Sequence, residues 1–300
     1  ILFRSIMKRK FLSIVLCLSM LLSLLTLASC SDKNNPPDGS GTNPPAAETE
    51  SIAILYENDV HCAVEGYSKL AAMKAELKGV YDHVGVVSSG DFVQGGTLGA
   101  VSKGEYIINL MNKVGYDAIA LGNHEFDYQL ARLVELNNLS NTKFLSCNFA
   151  KVGEDKSYFD SYTIVSYGDV EIAYIGITTP STISSSNPAQ FKNEDGEIIY
   201  TFNEADMYSL VQANIDAAEK AGADYVIALS HVGYDESDEL FDITDIIENT
   251  DGFDVVLDAH AHLVIENKTI KDKSGDDVLL SSTGTKFEYI GKLTITEDGP

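Results

Sequence analysis

LGNHEFDY, residues Leu121–Tyr128, carries on directly from the apolar run Ala118-Ile119-Ala120. A short continuous apolar run of this kind reads as a buried strand of a parallel sheet, and Gly122 as the turn by which the chain leaves it. Within five residues, Asn123 to Asp127, come an amide, an imidazole and two carboxylates. Ligands of open α/β sheets collect beyond the carboxyl ends of strands, so these groups stand where chemistry is usually done. Alone, the octet reads better as a polar loop in which Asp127 caps a helix over Tyr128–Leu136, because short motifs match by chance. The rest of the chain decides. Four more polar clusters follow apolar runs, and the five together hold five of the six histidines.

Upstream, Ile52–Tyr56 reads as a strand that runs into Glu57-Asn58-Asp59-Val60-His61, followed by a helix over Tyr67–Leu77. Val84–Val87 is a second strand, ending in Ser88-Ser89-Gly90-Asp91, and a helix through Ile107, Ile108, Leu110 and Met111 leads to the octet. Downstream come a short strand at Lys143–Ser146 and a hairpin of Tyr158–Val165 with Val170–Ile177, turning at Tyr167-Gly168-Asp169. Ser181–Glu197 reads as a polar loop with little order, and Asn203–Ala221 as a helix ended by Gly222. Tyr225–Leu229 delivers Ser230-His231, and Val255–Leu257 delivers Asp258-Ala259-His260-Ala261-His262. Two more strands, Val278–Ser282 and Tyr289–Ile295, follow. No internal repeat is read. The pattern predicts an α/β fold of two packed mixed β-sheets flanked by helices, with every polar cluster at the carboxyl end of a strand.

Composition narrows the partners. With 44% apolar residues the 300-residue chain can bury a sizeable core. Its net charge of −24 understates the acidity of the remainder, since Arg4, Lys8, Arg9 and Lys10 fall in a leader that has no acidic residue. Such a surface repels nucleic-acid polymer but admits a small phosphorylated substrate wherever metal ions supply positive charge. The leader, residues 1–30, combines Lys8-Arg9-Lys10 with the apolar Phe11–Ala28, and Leu27-Ala28-Ser29-Cys30 looks like a bacterial lipobox with Cys30 as the lipidated residue. A retained membrane anchor is the rival reading of the same stretch. Residues 31–50, rich in Asn, Pro, Gly, Ser and acid, form a disordered tether, and residues 51–300 the folded domain. Cys62 and Cys147 are expected as partly buried free thiols, with pairing left open.

Collected, the clusters offer Asp59, His61, Asp91, Asn123, His124, His231, His260 and His262. Asp-x-His on an extended segment puts both side chains on one side, and His260 and His262 follow the same logic. Imidazole with carboxylate suits zinc, manganese or iron, and the ligands are too many for one tetrahedral ion. They suffice for two metals bridged by a carboxylate, the arrangement for in-line displacement at phosphorus. His83, outside every cluster, is assigned nothing.

In this order, NDVH, GDFVQGG, GNHEFD, SHVGY and AHAH resemble the five signature blocks of the calcineurin-like metallophosphoesterases. More narrowly they look like the 5'-nucleotidase family, which takes in UDP-sugar hydrolases and 2',3'-cyclic-nucleotide 2'-phosphodiesterases. The resemblance covers about Ser51 to Gly291 and implies a four-layer α/β/β/α sandwich. It also implies that Asp59, His61 and His262 bind a first metal, that Asn123, His231 and His260 bind a second, and that Asp91 bridges them. His124 and Asp127 match the family's catalytic pair, the imidazole assisting departure of the leaving oxygen and the carboxylate orienting it. Two departures stand out. Ala259 replaces the usual glycine before His260, and the second, base-gripping domain of the family is absent from this chain, which is expected to be a fragment, the alternative being a single-domain hydrolase of altered selectivity.

The expected function is hydrolysis of nucleotides outside the cytoplasm by two divalent cations, Zn, Mn or similar, releasing nucleoside and phosphate. The partner is a small nucleotide, with a membrane reached through lipid on Cys30. Alternatives within the chemistry are a 2',3'-cyclic-nucleotide phosphodiesterase/3'-nucleotidase and a UDP-sugar pyrophosphatase, because the metal core reads the phosphoryl group. From other classes come a tethered solute-binding lipoprotein, which has no need of His124 and Asp127, and a surface interaction protein on a decayed scaffold, which would have lost ligands. No residue is assigned to substrate binding, and metal identity and oligomeric state are not fixed by the sequence.

Overall fold

The computed structural model describes residues 50–235, 241–296 and 299–300. The expected leader with Cys30, and residues 31–49 of the expected tether, lie outside the described residues. Glu50, assigned to the end of that tether, is held in place: its carboxylate accepts the Asp169 N–H at 2.8 Å and lies 3.4 Å from His83 Nε2. His83 thereby has a structural partner, in keeping with its place outside the clusters.

Strands β1 (Ile52–Glu57), β2 (His83–Ser88), β3 (Ala118–Ala120) and β4 (Phe144–Leu145) pair in parallel in that order, and β13 (Gly291–Ile295) lies antiparallel on the outside of β1. Parallel neighbours need crossovers, and here these are α1 (Val64–Leu77), α2 (Gly96–Ser102) with α3 (Glu105–Val114), and α4 (Leu130–Leu139). A small ribbon of β5 (Ala150–Lys151) and β8 (Tyr200–Thr201) stands apart. The second sheet runs β11-β12-β10-β9-β7-β6, built from β6 (Tyr162–Tyr167), β7 (Val170–Thr178), β9 (Tyr225–His231), β10 (Val255–Leu257), β11 (Val264–Lys271) and β12 (Asp277–Thr283). Its four central strands are parallel and its two edges antiparallel, with α5 (Thr182–Ser185), α6 (Met207–Ala221) and α7 (Ile243–Asn249) between them in the chain.

Period-two alternation sorts the core into three layers. From β1, Ile52, Ile54 and Tyr56 face the second sheet, where Tyr174, Ile227, Leu229, Val255 and Leu257 meet them. Leu55 on the other face packs with Ile107, Ile108, Met111 and Leu133 of the helices. Val226, Ala228 and Val256 do the same against Met207, Val211, Ile215, Ile243 and Ile247. The result is helices, sheet, sheet, helices, as expected.

Several local expectations change. Asp127 starts no helix: it closes the 3₁₀ turn His124–Phe126, and α4 begins only at Leu130, after Gln129 with φ 74°. Ser181–Glu197 is more ordered than a polar loop, holding α5 and a 3₁₀ turn, Pro188–Phe191, whose Phe191 is fully buried. The Asn203–Ala221 helix is a 3₁₀ turn, Glu204–Asp206, followed by α6. Cys62 and Cys147 are free and buried, and the Cys62 thiol donates to Val93 O at 3.1 Å. None of the described helices is long and apolar enough to cross a membrane.

Candidate metal centre

Five parallel strands, β1, β2, β3, β9 and β10, end on one edge of the sandwich, and the expected cluster residues all come together there. His61 and His262 face each other with Nε2 atoms 3.0 Å apart. Asp59 Oδ1 lies 3.3 Å from His262 Nε2 and 3.9 Å from the Nε2 atoms of both His61 and His231. Asp91 Oδ2 lies 3.2 Å from His231 Nε2 and 3.9 Å from His61 Nε2. Asn123 Oδ1 stands 3.2 Å from His231 Nε2 and 3.1 Å from His260 Nδ1. At the rim, His124 Nδ1 meets Asp127 Oδ2 at 2.7 Å, with the His124 ring centroid 5.3 Å from that of His61.

The way these side chains converge differs from the expected one. Asp59, His61, Asp91, His260 and His262 all have positive φ, between 43° and 74°, so neither Asp-x-His nor His-x-His is extended. Tight left-handed turns, not strand alternation, fold these side chains inward. Asp and His tolerate this region better than most residues, at roughly 1–2 kcal/mol each. One fully buried side chain such as Ile54 contributes about 1.5–3 kcal/mol, so the interior offsets that strain residue for residue. Gly122 has a different reason from the one expected of it. Its φ is not positive, and a methyl there would strike the Asp91 carboxylate, so the glycine serves close approach. Ala259, where a glycine was expected, has no positive φ either, and its methyl leaves His260 and His262 in the cluster.

Electrostatically, carboxylates and imidazoles favour each other's charged forms across the centre. Burial opposes the charge on His231, yet the Asp91 and Asp59 carboxylates outweigh it and push this imidazole upward. Burial likewise works to raise Asp91, and the His231 charge overcomes it, holding the carboxyl below its ordinary range. The Asp127 hydrogen bond raises His124, and the Asp59 carboxylate, 3.3 Å from the ring, raises His262, while burial lowers His61. A site that draws a proton onto a fully buried imidazole is one a divalent cation would relieve.

The residues fit such a cation. Asp59 Oδ2 accepts Asn58 Nδ2 at 2.7 Å and the His260 N–H at 3.0 Å, while Asp59 Oδ1 is buried with no hydrogen-bond partner at all. An unbonded buried carboxylate oxygen among three imidazoles is costly unless a cation meets it. Asp59, His61 and His262 offer donor atoms within 4.8 Å of one another, and so do Asp59, Asp91 and His231. Carboxylate with imidazole suits a borderline divalent metal.

Three residues of the site carried no expectation. Asn58 bonds Asp59 and Gly284 O through its amide nitrogen and Thr283 through its oxygen, tying the end of β1 to the end of β12. Asp258 is buried, which raises its carboxyl to about 7, and it lies 3.4 Å from the Val232 and Gly233 N–H groups. Glu125, at zero exposure, accepts four backbone N–H groups. All three lie inside or beside the motifs already quoted, so position marked them although residue type did not.

A two-sheet sandwich that gathers imidazoles and carboxylates at its strand ends is the setting for metal-assisted hydrolysis. Residues 52–264 match the family model of the calcineurin-like phosphoesterases, and the chain belongs to that family. It is 31% identical over 241 residues to snake venom 5'-nucleotidase of Gloydius brevicauda, a match spanning 72% of this chain and 38% of that protein. Protein UshA of Escherichia coli K12 is 30% identical over 203 residues, 64% of this chain and 36% of that one. This chain thus spans less than half the length of these curated relatives. In fold it is similar to a 5'-nucleotidase precursor from Thermus thermophilus, with TM-score 0.69 and 23% identity over 82% of this chain and 51% of that structure.

Proposed function

We propose that the protein hydrolyses nucleotide phosphate esters in the manner of a 5'-nucleotidase, releasing nucleoside and phosphate, with two divalent cations at the strand-end cluster. The observation that carries this reading is Asp59 Oδ1, buried and unbonded among His61, His231 and His262. Likeness to 5'-nucleotidases over the matched residues supports the substrate class. Asp59, His61 and His262 are assigned to one cation, Asn123, His231 and His260 to the other, with Asp91 between. When bound, the cations supply Lewis-acid polarisation of the phosphoryl oxygens and acidify water for attack.

The chain's own residues do the rest. Asp127 fixes His124 through Nδ1, so the protonated ring turns Nε2–H toward the substrate, where it can donate to the leaving nucleoside oxygen. His124 is partly exposed, with a side-chain accessibility of 30%, so substrate can reach it. The left-handed turns keep the ligands set before substrate arrives, which limits rearrangement in the reacting state.

Location outside the cytoplasm belongs to the same proposal, with lipid on Cys30 as the anchor. Lys8-Arg9-Lys10, the apolar Phe11–Ala28 and the sequence before Cys30 support it. Labelling of the native chain by a tritiated fatty acid, lost in Cys30→Ser, is the expected result.

Phosphate release from adenosine 5'-monophosphate, a 2',3'-cyclic nucleotide and a UDP-sugar, with Mn²⁺ and after chelation, tests the reaction. Chelator-sensitive release from the mononucleotide is expected. Tight binding of all three without turnover, in metal-replete protein, would favour a binding protein instead.

A further inference from the structure

We infer that Glu125 is a positioning residue for the metal centre, a buried clamp that sets the Asp91 carboxylate, and this inference rests on the two-metal reading above. Its side chain lies at zero exposure behind the ligands. Oε2 accepts the Asp91 N–H at 2.8 Å and the Gly122 N–H at 2.7 Å. Oε1 accepts Phe92 N–H at 2.8 Å and Val93 N–H at 3.2 Å. Three of these donors are consecutive, so the turn just after β2 closes on a side chain where it has no neighbouring strand to bond.

The clamp joins two ligand loops. Asp91, Phe92 and Val93 belong to the loop beyond β2, and Gly122 to the one beyond β3 that carries Asn123 and His124. Asp91 has φ 59°, outside the range of a continuing strand, and the Glu125 bonds hold it there. A second link closes the same loops: the His124 N–H donates to Asp91 Oδ1 at 2.9 Å. With Oδ1 so fixed, Oδ2 points at His231. Glu125 touches no ligand donor atom itself and acts through the Asp91 and Gly122 backbone.

Only a carboxylate meets this demand. It offers about four lone-pair positions on two oxygens, matched here by four N–H donors. Glutamine keeps one oxygen and turns an NH₂ group toward two of those donors, so half the clamp is lost and the loop must shift. Partners that orient metal ligands from behind typically change metal affinity or activity by about 10–100-fold when removed.

The test compares the native chain, E125Q and D254N, a buried acid at the far end of the sheets, by Mn²⁺ titration calorimetry, phosphate release and circular dichroism. E125Q is expected to stay folded, to bind Mn²⁺ about 10–100-fold more weakly, and to turn over more slowly even at saturating Mn²⁺, because His124 moves with Asp91. D254N is expected to bind Mn²⁺ as the native chain does. Should E125Q bind Mn²⁺ and turn over as the native chain does, with only its melting temperature lowered, the clamp is merely structural and the inference is overturned. Should E125Q not fold, the native chain decides. By linkage, saturating Mn²⁺ must then slow amide exchange at residues 91–93 and 122, and unchanged exchange there overturns the inference. A native chain that binds no Mn²⁺ sinks the two-metal reading instead, so the two failures are told apart.

Discussion

The two ends of the parallel strands use the same residue in opposite ways. At the amino ends, Asp117, Asp224 and Asp254 stand just before β3, β9 and β10, and each grips the neighbouring strand twice. Val86 N–H donates to Asp117 Oδ2 at 2.8 Å while Asp117 N–H donates back to Val86 O. Asp224 does this with Glu171, and Asp254 with Val226. At the carboxyl ends Asp59 and Asp91 sit in left-handed turns, and Asp59 keeps one buried oxygen free of any hydrogen bond. An aspartate that exchanges two hydrogen bonds with the backbone of the neighbouring strand fixes register. One whose remaining oxygen faces imidazoles is set for a cation. Bonding, not residue type or burial, separates scaffold from site.

The largest contrast is expected in turnover. His124→Ala should lower kcat by about 10²–10⁴-fold, the usual contribution of a positioned general acid, with little change in melting temperature. Asp117→Asn should leave kcat near the native value. Comparable losses in both variants would erase the distinction between the two ends.

A smaller effect is expected at Asp127. Its hydrogen bond raises His124 above the ordinary histidine value, so the protonated acid persists to higher pH. In Asp127→Asn that support is gone, and the alkaline limb of the kcat profile should move to lower pH, with kcat down about 10-fold. An unmoved limb would contradict the assignment.

At the amino end the readout is stability. Burial raises Asp254 to about 7, only partly offset by the Val226 N–H, against an ordinary value of 3.8. The folded chain thus keeps a proton that the unfolded chain releases. This contribution is full below the unfolded value and is lost as pH rises through about 7. Urea unfolding of the native chain should therefore lose on the order of 1–3 kcal/mol more between pH 4.5 and 8 than D254N does. Equal pH slopes would contradict it. Smallest of all, Ala259→Gly should leave Mn²⁺ affinity and turnover unchanged, and a marked gain would mean that the methyl displaces His260.

Much of this was legible in the sequence, for reasons that differ by end. Buried parallel strands such as Ile52–Tyr56 and Val255–Leu257 are nearly unbroken apolar runs, and each of the five stops at a cluster containing His or Asp. That combination marked the residues that come together at the strand ends. The backbone of the clusters was not legible, because alternation along an extended segment and a left-handed turn both bring residues two apart to one side. Along β11 only Ile270 is buried, which leaves no alternation to read. The α7 helix does carry a signal, an Asp242 capping box before Ile243, Ile246 and Ile247. The amino-end aspartates are also written plainly, as Gly115-Tyr116-Asp117, Gly222-Ala223-Asp224 and Gly252-Phe253-Asp254, each just before a strand. Glu125 could not be read from its type, for an acid inside a motif suggests a ligand before it suggests a clamp.

Anomalous diffraction from crystals of the native chain grown with Mn²⁺ tests the strand-end centre most directly. Two peaks about 3.5–4 Å apart are expected, one against Asp59, His61 and His262 and the other against Asn123, His231 and His260. A single peak, or manganese bound elsewhere while Asp59 Oδ1 stays uncoordinated, would contradict the account.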